Sequence, residues 1–315
     1  MLDKVTPNTP FPLEPDHARA VRALAWATEV GTVQPDALHT PPELPTPDEL
    51  RSLRVETLRS HLDRMLLGRN TQEGLDALHV CGVLEVWLPE VFALIGFGDG
   101  EWRHKDVWKH TKQVVWQSVP RIEVRWGALL HDIGKVKTRK IEPSGEVHFF
   151  GHSEVGAAMF RKRVGKRLGF TGELYERVHY LILYHLRASQ YDGTWTDSAV
   201  RRFSREMGDG LTDLLDLSRA DITTKRPERR KKGLRQISEL SDRIEKVVAD
   251  DARLPPLSKG IGNAIMAHFG LPPSRKVGEL KKLLEAEIDA GTLEARREDE
   301  YYVQWLETQR VRLEI

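Results

Sequence analysis

The chain has 315 residues, with 48 lysines and arginines against 47 aspartates and glutamates, so net charge steers it to neither nucleic acid nor membrane, and any nucleic-acid surface must be a local patch. A single cysteine, Cys81, excludes an intramolecular disulfide and a cysteine-built zinc knuckle. No apolar run approaches the roughly 18–20 residues of a membrane span, and the first fifteen residues lack the apolar core of a signal peptide, so the expectation is a cytoplasmic protein with no membrane partner.

Residues 1–15 are proline-rich and predict an irregular arm. A helix is expected over 16–30, with Ala20, Val21, Leu24 and Ala27 on one side. The stretch 33–48 holds five prolines and reads as loop. Helical spacing returns over 48–67, through Leu50, Leu53, Leu58, Leu62, Met65 and Leu66. Thr71 is placed to cap another helix over 72–81. The segment 83–95 is apolar and punctuated by Pro89, and 96–100 is a glycine-rich loop. From Trp102 onward the pattern is helical, except at 137–150, where Pro143-Ser144-Gly145 separates two short strand-like runs and predicts a small hairpin. Helices are expected at 152–168, 173–189, 196–207, 210–223 and 234–249, with two short ones in 258–288 on either side of Leu271-Pro272-Pro273. The predicted class is all-α, a helical bundle with one small β-hairpin.

The chemistry centres on residues 126–135, WGALLHDIGK, where an apolar helical run ends in the pair His131-Asp132. A neutral imidazole and a carboxylate side by side can seed a metal site, although such a doublet alone is most often a surface or capping pair. Eight of the twelve histidines, namely His17, His39, His61, His79, His104, His148, His179 and His268, read as surface or helix-face residues. The others fall differently. His110 lies within a turn of Val107 and Val114. His152 directly follows the hairpin, where Gly151 would allow close backbone approach. His185 shares an apolar face with Val178, Leu181 and Ile182. Asp221 shares a stripe with Leu214 and Leu217, where an isolated carboxylate is costly to bury without a cation. Singly, each is more often a hydrogen-bonded core residue than a ligand. Together, on successive helices, they match the way helical bundles assemble metal sites from one inward side chain per helix.

The order His110, His131-Asp132, His152, His185, Asp221 resembles the HD superfamily of metal-dependent phosphohydrolases, over about residues 100–225. The resemblance implies that His110, His131, Asp132 and Asp221 bind one divalent metal. It further implies that His152 and His185 belong to a second site, with Asp132 bridging both, and that Lys135 stands near the scissile phosphate. The plainer reading of Lys135 is a solvated lysine just beyond a helix. A mixed imidazole and carboxylate set suits Mn, Fe, Co, Ni or Zn, as one ion or two, better than Ca.

A wider resemblance covers about 16–293. The stretches 16–31, 54–68 and 74–91 look like the neck of bacterial tRNA nucleotidyltransferases, the CCA-adding enzymes and poly(A) polymerases, and 260–293 is similar to their region after the HD domain. On this likeness 1–15 is the arm, 16–95 a neck-like region, 96–250 the HD domain and 251–315 a helical tail. The family's base-reading motif is eroded to Pro15-Asp16-His17-Ala18-Arg19, and His61 stands where an acid follows Glu56-Thr57. Only fifteen residues precede Asp16, and they hold neither the Gly-Ser turn nor the Asp-x-Asp pair of a catalytic head. The expectation is therefore hydrolysis, with Asp132 and Lys135 catalytic, of a nucleotide or RNA 3′-end phosphoester, including 2′,3′-cyclic phosphodiesters, and with tRNA a candidate partner. The alternative is a non-catalytic tRNA-binding remnant of a headless nucleotidyltransferase. Lys225, Arg226, Arg229 and Arg230 are expected to bind RNA phosphate, against the plainer reading of a solvated helix start. A second cluster runs from Arg161 to Arg167. Trp102, Trp108, Trp116 and Trp126 could stack on bases but read more simply as core.

Overall fold

The structure, a computed structural model, describes residues 18–32, 41–97, 106–253, 255–313 and 315. The arm 1–15, the Asp16-His17 end of the eroded neck motif, His39, Trp102 and His104 lie outside the described residues, as does most of the glycine-rich loop. The chain divides into two compact units, Met1–Arg187 with Thr212–Arg230, and Ala188–Leu211 with Lys231–Ile315. The described residues are helical apart from loops and one two-stranded antiparallel hairpin, in agreement with the all-α expectation.

The first unit begins with α1 (Ala18–Thr32), α2 (Pro47–Arg51), α3 (Val55–Leu66) and α4 (Thr71–Val80). The single helix expected over 48–67 is two helices. Thr46 and Glu49 form a reciprocal capping box around Pro47, and α2 closes at Ser52, whose hydroxyl donates to the Glu49 carbonyl at 2.6 Å. α1, α3 and α4 pack through glycines. A Cβ on Gly68 would lie 2.0 Å from the Gly31 carbonyl oxygen, and one on Gly74 would lie 2.8 Å from the Gly31 Cα. The apolar run from Val83 breaks into α5 (Val83–Trp87) and α6 (Pro89–Phe92), because Pro89 supplies no N–H and keeps Leu88 out of the helical region.

α7 (Val107–Gln117), α8 (Ile122–Leu130) and the single turn α9 (Lys135–Thr138) follow. Strands β1 (Lys140–Ile141) and β2 (Val147–His148) then pair with Lys140 opposite His148. The helix expected over 152–168 is α10 (His152–Met159) and α11 (Gly165–Arg167), joined by a π-helical turn over Phe160–Val164. α12 (Gly172–Tyr184) comes next in this unit. Trp126 and Phe160 are fully buried, and Trp126 donates its indole N–H to Asp63 at 2.6 Å while the Arg59 guanidinium lies over the Phe170 ring at 3.7 Å. These contacts tie α3 to α8.

The second unit contains α13 (Asp197–Met207), and α14 (Leu211–Ala220) returns the chain to the first. α15 (Pro227–Arg253) starts seven residues before the expected 234. The remainder is α16 (Ile261–Phe269), α17 (Arg275–Asp289), α18 (Asp299–Thr308) and α19 (Arg310–Leu313), of which the last two were expected only as part of a helical tail, without bounds of their own. Ile261, Ile265, Leu280, Leu284, Tyr302 and Leu306 form their core. No described helix is long and apolar enough to cross a membrane.

Candidate metal centre

Four of the six side chains singled out in the sequence stand at or just beyond helix C-termini: His131 and Asp132 after α8, His185 after α12, and Asp221 after α14. The final carbonyls of a helix lack intrahelical partners. His131 and His185 each use one, donating Nδ1–H to the carbonyl three residues back, Ala128 and Ile182, both at 2.8 Å. His152 opens α10 and donates Nδ1–H to Phe149 at 2.8 Å in the same way. A carbonyl only accepts, so these bonds place the proton on Nδ1 and leave an Nε2 lone pair facing inward. The fourth ring, His110 on α7, meets the Thr223 hydroxyl through Nδ1 at 2.8 Å.

The four Nε2 atoms and two carboxylates converge. His110 Nε2 lies 3.3 Å from His131 Nε2, 3.5 Å from Asp132 Oδ2 and 3.0 Å from Asp221 Oδ1. His131 Nε2 lies 3.2 Å from Asp132 Oδ2 and 3.7 Å from Asp221 Oδ1. On the other side of Asp132, His152 Nε2 is 3.4 Å from Oδ1 and 3.1 Å from His185 Nε2. Two triplets thus have ligand atoms close enough to share an ion, His110–His131–Asp132 and Asp132–His152–His185, and Asp132 belongs to both. Asp221 adds its oxygen beside the first.

The donor set fits a cation. Lone pair faces lone pair at 3.1 Å between His152 and His185, which repels unless positive charge lies between. Asp132 Oδ1 is buried and accepts no hydrogen bond. Asp132 and Asp221 also follow helix C-termini, where the macrodipole opposes an anion. The same demand for positive charge shows in the titration. Burial opposes charge on His131, yet Asp132 and Asp221 outweigh it and raise its pKa. Burial would likewise raise Asp132, but His131 and Lys135 hold it well below the usual carboxylate range. Asp221 is lowered too, against burial, by its hydrogen bond to His110 and the charge of His131. Burial pushes His185 down to about 4, and it lowers His152 against the pull of Asp132, so both stay neutral and able to ligate at pH 7.

Lys135, in the first turn of α9, places Nζ 2.6 Å from Asp132 Oδ2 and 5.7 Å from the centre of the Phe149 ring. It is therefore a partner of the buried carboxylate, not a wholly solvated lysine. Lys225, Arg226, Arg229 and Arg230 are exposed around the start of α15, as is most of the Arg161–Arg167 cluster. Arg167 is the exception, since it pairs with buried Glu90. Trp108 and Trp126 are buried, as their core reading requires, whereas Trp116 is half exposed.

Sequence reasoning did not identify Thr223, the backbone carbonyls that set the histidine tautomers, or Gly134. It gave the close-approach role to Gly151, but nothing lies nearer than 3.8 Å to a Cβ there. Gly151 is instead left-handed, with φ 73°. The close approach belongs to Gly134, where a Cβ would lie 2.0 Å from the His152 carbonyl oxygen and 2.7 Å from the Gly156 nitrogen. A glycine two residues past the His-Asp pair was the available signal.

The residues of this cluster lie within a stretch that is similar to known proteins. The HD domain family matches residues 105–245. A CC-adding tRNA nucleotidyltransferase of Thermus thermophilus is 34% identical over 299 residues, covering 90% of this chain and 65% of the relative. An A-adding tRNA nucleotidyltransferase of Deinococcus radiodurans is 29% identical over 305 residues, again 65% of its own length. A multifunctional CCA protein of Pseudomonas fluorescens is 35% identical over 130 residues, 39% of this chain. The chain therefore spans slightly less than two thirds of the first two relatives.

Proposed function

We propose that this chain, which belongs to the HD-domain proteins and is a homologue of bacterial tRNA nucleotidyltransferases, is a metal-dependent phosphohydrolase of nucleotide or RNA-end phosphoesters, including 2′,3′-cyclic phosphodiesters. The observation that carries this reading is the convergence of four Nε2 atoms, three of them with an inward lone pair, on two carboxylates, one of which faces both groups of histidines. His110, His131, Asp132 and Asp221 would hold one divalent transition metal, and Asp132, His152 and His185 a second. When bound, such ions act as Lewis acids on phosphoryl oxygens and supply hydroxide from water at neutral pH.

The protein's own contribution is positioning and charge. The carbonyls of Ala128, Phe149 and Ile182 lock three imidazoles in the ligating tautomer before anything binds. Asp132 is kept ionised by His131 and Lys135, so it needs no deprotonation at working pH. Lys135 presents an ammonium beside the same carboxylate, where it can offset charge on phosphoryl oxygens in the transition state. The exposed cations from Lys225 to Arg230 begin four residues after Asp221 and suit the backbone of an RNA strand. The names of the relatives point to tRNA as a partner.

Metal analysis of the purified protein, combined with a panel of phosphoesters in Mn, Co and Ni, tests the proposal. Turnover that depends on added metal and is lost in Asp132→Asn is expected. A metal-loaded protein that hydrolyses no member of the panel refutes it. The exposed basic helix start favours a second reading, a non-catalytic RNA-binding protein. That reading predicts tRNA binding that weakens steeply with salt and survives His131→Ala, with no turnover.

A further inference from the structure

The hairpin before His152 carries an aromatic pair that the metal site does not use. The His148 and Phe150 rings stack almost parallel, with centroids 4.9 Å apart and planes at 13°. Phe150 is 72% exposed. A phenyl ring held flat by a partner on one face and open to water on the other costs free energy on its own. It is also the geometry of a stacking platform, since a base can add to the open face.

Its surroundings select the ligand. The segment Lys135–Lys140 holds Lys135, Lys137, Arg139 and Lys140 with no acidic residue among them, and Lys137 and Lys140 are exposed with no ion-pair partner among the described residues. Aromatic faces alternating with cations suit single-stranded nucleic acid, with phosphates on the cations and bases on the rings. Phe149, between the stacked residues, turns its ring toward Lys135, and its carbonyl holds His152. His148 closes β2 and Phe150 stands in the turn after it, and their described contacts are with each other and with Glu146, not with any of the six candidate ligands. A platform beside the ligand cluster but outside it suits the base next to the reacting nucleotide, not the reacting nucleotide itself.

We propose that His148 and Phe150 form a subsite for the nucleobase adjacent to the reacting nucleotide, making the hairpin the element that prefers an RNA strand over a free mononucleotide. The inference rests on the phosphoester reading of the metal centre, and it adds the residues that choose among phosphoesters.

The test uses the metal-loaded protein and two probes. One is a tetraribonucleotide ending in a 2′,3′-cyclic phosphate with 2-aminopurine next to the terminal residue, and the other is 2-aminopurine riboside 2′,3′-cyclic phosphate. Stacking quenches 2-aminopurine fluorescence, so occupancy of the platform is read directly, apart from turnover. In Phe150→Ala the tetranucleotide is expected to lose its quenching and bind about tenfold more weakly. Phe150→Trp should restore both, and the mononucleotide should be unaffected. Unchanged quenching and affinity in Phe150→Ala, or an equal loss for the two probes, overturns the proposal. Phe150 is a surface residue, and circular dichroism of each variant checks its fold. A protein that quenches the tetranucleotide but never hydrolyses it defeats the phosphohydrolase reading alone. One that hydrolyses it with no dependence on Phe150 defeats the subsite alone.

Discussion

Replacing Gly134 by alanine tests how the second half of the metal centre is positioned. Gly134 has φ −71°, an ordinary conformation for any residue, so the effect of a methyl group is purely steric. That methyl would stand 2.0 Å from the His152 carbonyl oxygen and 2.7 Å from the Gly156 nitrogen, whereas ordinary contact begins at 3.4 Å. Both obstacles are backbone of α10, so no side chain can swing aside and the start of α10 must move by more than an ångström. Ligand distances in a working metal site tolerate about 0.2 Å. His152 is therefore carried out of reach, while His110, His131 and Asp221 lie on other elements. On the proposed two-ion reading, atomic emission should show metal content falling from two ions per chain to one, with a stability loss of about 1–3 kcal/mol from overpacking. Gly151→Ala is the control. Its left-handed backbone costs about 1–2 kcal/mol with no contact nearer than 3.8 Å, so it should lose comparable stability and keep both ions. Two ions bound by Gly134→Ala at wild-type affinity would refute the reasoning.

Thr223→Val removes the hydroxyl that meets His110 Nδ1 while keeping the side-chain shape, and chelator competition should show metal affinity reduced about ten- to a hundredfold. Lys135→Ala should lower turnover with metal content unchanged, and loss of the metal would make the lysine a structural support of Asp132 instead. In chelator-treated protein, His185 is held neutral down to about pH 4 against 6.5 for a free imidazole. Between those values the unfolded chain takes up a proton that the native chain refuses, so this residue costs stability as pH falls, about 3 kcal/mol by pH 4. His131, whose pKa is raised, acts in the opposite sense. Urea titrations of His185→Gln between pH 4 and 6.5 should therefore show a flatter pH dependence than wild type. Burial pushes the Cys81 thiol up to about 11, so a disulfide reagent at pH 8 should label it slowly in the native protein and at once in urea.

Much of the fold was legible because most of its helices bury one stripe each. Val178, Leu181 and Ile182 mark the buried face of α12 three and four residues apart, and all three are fully buried. The failures were local and have chemical causes. A run such as 48–67 keeps its periodicity through a break, because Leu50 and Leu58 bury whether the chain between them is one helix or two. What decides is the bonding of Thr46, Glu49 and Ser52, which hydrophobic spacing does not record. The last two helices were expected only as part of a helical tail and were not separated into elements, since both are short. α18 buries Tyr302, Val303 and Leu306 with Tyr301 and Trp305 packed beside them, and α19 buries none.

The candidate site was legible for a different reason. A carboxylate just past the end of an apolar helix is expensive twice over, through burial and through the negative end of the helix. Asp132 and Asp221 both occupy such positions, so each asks for positive charge, and Lys135 is a direct cationic partner of only one of them, at Oδ2. The other oxygen of Asp132 stays unpaired beside His152 and His185, whose protons are committed to backbone carbonyls on the far side of their rings. Polar side chains that merely supported the fold would satisfy one another. The lone pairs of His131, His152 and His185 are turned inward toward a common space, and that unmet demand, visible in the sequence only as polar residues on apolar stripes, is what makes the cluster a candidate site for a cation.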